Sequence, residues 1–125
     1  MANTNKHIVE RVNASFAEGE TEVFLEHCKP EVVWKMVGEE TRTGVDTIRE
    51  FMASMGDMEP PKFSAINVIG EGDYVAATGD MTMKNKDGKT ESYSFCDVYR
   101  FDGGKIAELT SYVVNTSRKG ETAKA

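Results

Sequence analysis

The sequence predicts an α+β fold: a cone built from a strongly curved, mainly antiparallel sheet, with three helices from the N-terminal half packed on one face. Three observations carry that expectation. Apolar residues recur at helical spacing in the first half of the chain, and the period switches to two after "MEPP". The alternating segments that follow are joined by short turns rich in Gly and Asp. The chain's 125 residues suit one domain, long enough to bury roughly two-thirds of its unfolded surface.

Residues 5–18 place Ile8, Val9, Val12 and Phe16 on one helical face, and Gly19 is a natural stop. Thr21 is positioned to cap a short second helix carrying Val23, Phe24, Leu25 and Cys28, with Pro30 closing it. "VVWKMVG" (32–38) is β-branched and aromatic, and reads as a strand. A third helix runs from about Val45, with Ile48, Phe51, Met52 and Met55 on one face and Gly56 at its end.

"KFSAINVIG", "DYVAATGDMTMKN", "TESYSFCDVYRF" and "KIAELTSYVVN" then alternate as strands. Asp87-Gly88 and Asp102-Gly103-Gly104 are hairpin signals, because these residues tolerate positive φ. Successive hairpins make a meander. The domain is expected to span 1–116, leaving 117–125 as a polar tail.

Composition excludes several classes. A formal net charge of −6 argues against a nucleic-acid partner, which needs a basic face. No apolar run approaches the ~20 residues of a membrane span, and "MANTNKHIVE" lacks the pattern of a secretory leader. A cytoplasmic protein is therefore expected. Cys28 and Cys96 show no metal-type spacing and only His7 and His27 accompany them, so neither a disulfide framework nor a metal site is expected. No phosphate-cradling glycine motif occurs, and no cofactor is expected.

The segment "SYSFCDVYRF" carries the most specific chemical signal. As a strand it sets Tyr93, Phe95, Asp97, Tyr99 and Phe101 on one face, an acid among four aromatics. A desolvated carboxyl takes a raised pKa and can donate or exchange a proton with a ligand oxygen. The bland alternative is a buried polar network, in which Asp97 pairs with Lys35 or accepts from a neighbouring hydroxyl.

The element order, with "VNASFAEGETEVFLEHCKPEVVWKMVG", "RTGVDTIREFM" and "CDVYRFDGGKIAEL", resembles the nuclear transport factor 2-like superfamily, in its SnoaL-like and ketosteroid-isomerase-like branch. The resemblance covers about Asn5 to Asn115 and implies a cone with an apolar pocket. It leaves the activity open, because that fold hosts isomerases, cyclases, epoxide hydrolases, dehydratases and non-catalytic binders. It places Asp97 on the aspartate that ketosteroid isomerases carry two residues before the "F-R-F" end of the penultimate strand. Their general base falls on Lys35, nine residues before Gly44, and their first-helix tyrosine on Val12. The last-strand acid of related enzymes falls on Ser111. Only one of these polar groups, Asp97, is kept.

Two arguments conflict over the first strand. The resemblance turns Lys35 inward, where it would pair with Asp97 or act as a desolvated amine. Local hydrophobicity instead turns Trp34 and Met36 inward. Candidate catalytic residues are accordingly Asp97 and Lys35. The candidate ligand-binding lining is Trp34, Met36, Met52, Met81, Met83, Tyr93, Phe95, Tyr99, Leu109 and Ser111. A row of methionines suits either a pliable pocket or a filled core. Cys28 reads as a packing residue. Val98, Tyr112 and Val114 leave the outer sheet face partly apolar, which suits a homodimer, as in many members of the superfamily.

The functional expectation is a small enzyme of isomerase, cyclase or hydrolase type on an apolar molecule bearing a carbonyl or hydroxyl. The other reading is a non-catalytic module that binds a small hydrophobic ligand or only dimerises.

Overall fold

The computed structural model describes residues 4–55, 59–85 and 87–117. The element order is α1 (Thr4–Ala17), α2 (Glu22–Glu26), β1 (Cys28–Met36), β2 (Thr41–Thr43), α3 (Val45–Ser54), β3 (Lys62–Glu71), β4 (Tyr74–Lys84), β5 (Thr90–Asp102) and β6 (Lys105–Asn115). The strands form one sheet in the order β2-β1-β6-β5-β4-β3. The expected α+β architecture and the β3–β6 meander are both present. β1 runs parallel to β6, and every other pairing is antiparallel.

Curvature has a local origin. The ladder slips once in β1 between Cys28 and Val33, once in β3 between Ser64 and Asn67, and once in β5 between Arg100 and Phe101. Each slip bends its strand and increases the twist. The helices pack into the resulting hollow. Val9 and Val12 of α1, Phe24 and Leu25 of α2, and Ile48 and Met52 of α3 share one buried cluster with Val75, Ala77, Met81, Phe95, Tyr99, Phe101, Ile106 and Leu109 of the sheet. Full burial of each such Val, Leu, Ile or Phe contributes about 1.5–3 kcal/mol.

Gly19 ends α1 at φ +78, and a Cβ there would lie 3.0 Å from Pro60 Cγ, so this position is closed to side chains both by backbone strain and by space. Gly103 and Gly104 take φ +63 and +84 in the last hairpin, as the turn signal requires.

Three local expectations are corrected. Helix α2 stops at Glu26, so Cys28 and Pro30 belong to β1 and not to the helix. Tertiary pairing wins there: the Ile106 N–H donates to the His27 carbonyl at 2.7 Å, and Cys28 pairs with Ile106. Pro30, which has no N–H to give a ladder, sits in the irregular stretch between Cys28 and Val33. Thr21 precedes α2 but makes no side-chain capping bond. Strand β2, only three residues long, has too little alternation to register in the sequence. Gly56 and residues 118–125 lie outside the described residues; Ser117, at the start of the expected tail, still accepts a hydrogen bond from the Ser92 N–H.

Candidate functional site

Strand register assembles the inner face of the sheet. Asp97 lies opposite Ala77 on one side and Ser111 on the other, and Ser111 in turn lies opposite Met36. One step along the strands, the row reads Val75, Tyr99, Leu109, Trp34, Arg42. A step the other way places Gly79, Phe95 and Val113 together, and Met81 and Tyr93 come next. Asp97 therefore has small lateral neighbours, Ala77 and Ser111, between two large rings, Phe95 and Tyr99.

Trp34 and Met36 are the inward residues of β1. The Trp34 indole Nε1 donates to Ser111 Oγ at 3.0 Å. Its ring packs edge-on against Phe24 and Phe51, with centroids 6.3 and 5.7 Å apart. Lys35 points to the outer face, half exposed, and pairs with Glu108 Oε2 at 2.9 Å. The expectation of an inward Lys35 beside Asp97 is thus corrected: on a pleated strand its neighbours take the interior, and three contacts of the indole hold them there. The Lys35 ammonium, with Arg100 as a second cation, holds the Glu108 carboxyl below its usual range.

A polar relay follows from this register. Ser111 is buried at 6 % exposure. Accepting from Trp34, its hydroxyl is free to donate to Asp97. The Asp97 residue as a whole is half-buried, but its carboxyl is enclosed by protein, and burial pushes its pKa up to about 6, with the Ser111 hydrogen bond acting in the opposite direction. Tyr99 is fully buried, and its hydroxyl has no hydrogen-bond partner among the described residues. Burial, then the nearby Asp97 and Cys28, raise the Tyr99 phenol well above its ordinary pKa.

The other expected lining residues are spread more widely. Met36 is half-buried, and Met52 and Met81 are nearly enclosed in the core. Phe95 stacks edge-on with Phe63 at 5.5 Å. Tyr93 and Met83 are half-buried at the far end of the row, and Met83 lines a small cleft of about 50 Å³ with Pro60 and Lys62. A larger cleft, about 510 Å³, is bordered by Cys28, Pro30, Gly44, Val45, Asp46 and Thr47. Neither cleft reaches Asp97. We place the candidate site at Asp97 all the same, because the larger cleft gathers no enclosed acid, base or hydroxyl cluster.

Cys28 is a packing residue: its Sγ donates to the Phe24 carbonyl at 3.2 Å, and burial pushes its thiol up to about 12. Among the described residues, no three His, Cys, Asp or Glu side chains come together to hold a metal ion. Nor is any described helix long and apolar enough to cross a membrane.

Two interior polar residues escaped sequence reasoning. Asn13, on α1, is buried with its Nδ2 unpartnered among the described residues. A polar residue one position after Val12, inside an apolar helical stripe, was the available signal. Arg42 joins the inner face through β2, opposite Trp34. Its place in "T-R-T-G" was visible only as a mark of the fold.

A curved sheet closed by helices, with one enclosed acid in an aromatic interior, defines a class of small cone-shaped proteins. The chain belongs to the SnoaL-like domain family, which matches residues 9–109, within the nuclear transport factor 2-like fold. A nuclear transport factor 2-like protein of unknown function from Burkholderia pseudomallei superposes with a TM-score of 0.83 at 17% identity, over 99% of this chain and 100% of that one. A candidate polyketide cyclase from Pseudomonas putida superposes at 0.80 with 21% identity, over 89% and 92%. TerC, co-crystallised with polyporic acid, superposes at 0.76 with 21% identity, over 98% and 100%. Among curated proteins none matches the chain in sequence.

Proposed function

We propose that this protein is a small enzyme of isomerase, cyclase or hydrolase type, working without a cofactor on an apolar molecule that bears a carbonyl or hydroxyl. The observation that carries the reading is Asp97, an enclosed carboxyl with a pKa of about 6, held by Ser111 and flanked by Phe95 and Tyr99. A group titrating near working pH is suited to take a proton from carbon or oxygen and return it. Trp34, Met36, Tyr99 and Leu109 would shape the ligand, and the Tyr99 hydroxyl, without a partner among the described residues, offers a donor to a developing oxyanion. The Pseudomonas putida neighbour described as a candidate polyketide cyclase, and TerC, co-crystallised with polyporic acid, support a small-molecule substrate of this kind.

The test is deuterium exchange into 2-tetralone, an apolar ketone with acidic α-protons, followed by NMR. Wild type is expected to accelerate exchange with a limb near pH 6, and Asp97→Asn to lose about 100-fold or more. Equal rates for the two proteins overturn the reading. One observation favours a non-catalytic ligand-binding module instead: neither cleft opens onto Asp97. Quenching of Trp34 fluorescence by the ketone without exchange would select that alternative.

The proposal includes a homodimer. The outer face exposes the large apolar or aromatic side chains of Ile69, Tyr74, Tyr112 and Val114 to solvent, a feature that suits an interface. A second copy of the same face would cover it. Light scattering at micromolar concentration is expected to give twice the chain mass, and Tyr112→Glu to give monomers; a monomeric wild type removes the dimer.

A further inference from the structure

Trp34 does more on the inner face than fill space. An indole is a donor only, and this one gives its single N–H to Ser111 Oγ at 3.0 Å. Trp34 lies opposite Leu109 on β6 and Met36 lies opposite Ser111, so the indole reaches two residues along the neighbouring strand to make the bond. Two rings fix its direction, Phe24 and Phe51, both edge-on with centroids 6.3 and 5.7 Å away. The β6 backbone is tied at the same place, because the Val37 N–H donates to the Ser111 carbonyl at 3.0 Å. Ser111 itself is buried and sits directly opposite Asp97 on β5.

A serine hydroxyl has one proton to give and two lone pairs to offer. The indole takes one lone pair and, unable to accept, never competes for the hydroxyl proton. The strand carbonyls around Ser111 are engaged in the ladders with β1 and β5. The proton is left for Asp97, and the bonds run one way: indole N–H to serine oxygen, serine O–H to carboxylate. Bonds aligned head to tail polarise one another, by about 10–30% each. A protonated Asp97 would have to give its own proton to Ser111, and the serine proton would then lack a buried acceptor. The sequence of bonds therefore favours the ionised acid, against the effect of burial.

The structure assigns Trp34 the role of a positioning residue for Asp97: acting through Ser111, its indole N–H holds the carboxyl in one orientation and keeps it ready to ionise inside an aromatic interior. Resting on the reading of Asp97 as the proton-transfer group, Trp34 sets the pH at which that group becomes a base, without a bond of its own to the carboxyl. Among the described residues, the titratable groups that feel the Asp97 charge are Tyr99 and Cys96, both held above their ordinary values chiefly by burial, so neither changes charge near pH 6. Lys35 faces outward on Glu108, and Arg42 of β2 rests on the Phe51 ring. The described helices bury no charged side chain against the sheet; their enclosed polar groups are the neutral Asn13 and Ser15.

The test is an NMR titration of the ligand-free protein that follows the Asp97 carboxyl carbon and the Trp34 indole proton together. Trp34 is the sole tryptophan, so its indole signal is unambiguous. In wild type the indole proton is expected to move downfield as Asp97 ionises, with the midpoint of the carboxyl. In Ser111→Ala it is expected to stop following, and in Asp97→Asn to stay flat, which separates the effect from His7 and His27. Ser111→Ala is expected to raise the Asp97 midpoint by about one pH unit, as loss of a hydrogen bond to a charged group warrants. Trp34→Phe is expected to raise it by less, and the double variant to match Ser111→Ala alone, because the indole acts only through the serine. An indole proton that ignores the Asp97 titration, or a Trp34→Phe effect that is absent or adds to that of Ser111→Ala, overturns this inference and leaves the catalytic reading to its exchange test. A wild-type carboxyl that titrates near its ordinary 3.8, with the indole still following it, overturns the catalytic reading and upholds this inference. The wild-type measurement needs no variant and decides the matter even where Trp34→Phe folds poorly.

Discussion

Asp97→Asn is expected to stabilise the protein at pH 8 and to leave it nearly unchanged at pH 4. The sign follows from where the proton sits. Burial raises the Asp97 pKa from 3.8 to about 6 in the native state. Below pH 4 the carboxyl is protonated in both native and unfolded chains and carries no penalty. Between about 4 and 6 the unfolded chain releases a proton that the native state keeps, so stability falls as pH rises. Above 6 both are ionised and the full penalty is present. A shift of roughly two units corresponds to up to about 3 kcal/mol. Asparagine keeps an oxygen for Ser111 and never ionises, so the variant escapes the penalty. The difference in unfolding free energy between wild type and variant should therefore grow by about 2–3 kcal/mol between pH 4 and pH 8, measured by urea denaturation. Other carboxylates, among them Glu22, Glu91, Asp102 and Glu108, have lowered values and impose the opposite slope on both proteins, so they cancel in the comparison. A pH-independent difference would show that Asp97 ionises in the native state as easily as in water.

Tyr99 gives the second large effect, and the two substitutions there should differ in sign. Tyr99 is the largest of the fully buried side chains, fixed between Val75 and Leu109. Tyr99→Ala should cost about 3–5 kcal/mol, as other aromatic truncations in cores do. Tyr99→Phe removes only a hydroxyl that is enclosed without a partner among the described residues. An unmet buried hydroxyl costs about 1–3 kcal/mol, so the phenylalanine variant should gain roughly 1–2 kcal/mol in the ligand-free protein. If the hydroxyl serves a ligand oxygen, the same variant should bind 2-tetralone more weakly while unfolding at higher temperature. Loss of stability in Tyr99→Phe would mean that the hydroxyl has a partner after all. Together with Asp97, this residue makes the interior less stable than an apolar one of the same shape, the pattern expected where a site is kept for function.

Much of this organisation was legible in the chain. Period-two alternation put Asp97, Tyr99 and Phe95 on one face, and the glycine turns marked the meander. Alternation also put Val75, Ala77, Met81 and Met83 together, as β4 carries them. The orientation of β1 was not legible. Counting back from Gly44 to Lys35 assumes a fixed path through the turn and through β2, and β1 also slips its pairing near Pro30. Because side chains alternate, an offset of one residue exchanges the two faces. Local hydrophobicity, the competing argument, chose Trp34 and Met36 as the inward pair.

The chain by itself determined most of the elements, the hairpin turns and the inward faces of β4 and β5, because these depend on residues close in sequence. Tertiary structure alone decided which faces meet. Trp34 reaches Ser111 across 77 positions, and Asp97 gains that same serine only because β6 lies between β1 and β5. Arg42 enters the interior through a three-residue strand whose place depends wholly on its partner. Pairing over such distances is set by the burial of many side chains at once, which no short stretch encodes. The acid was visible in one strand; its serine and its indole were supplied by the fold.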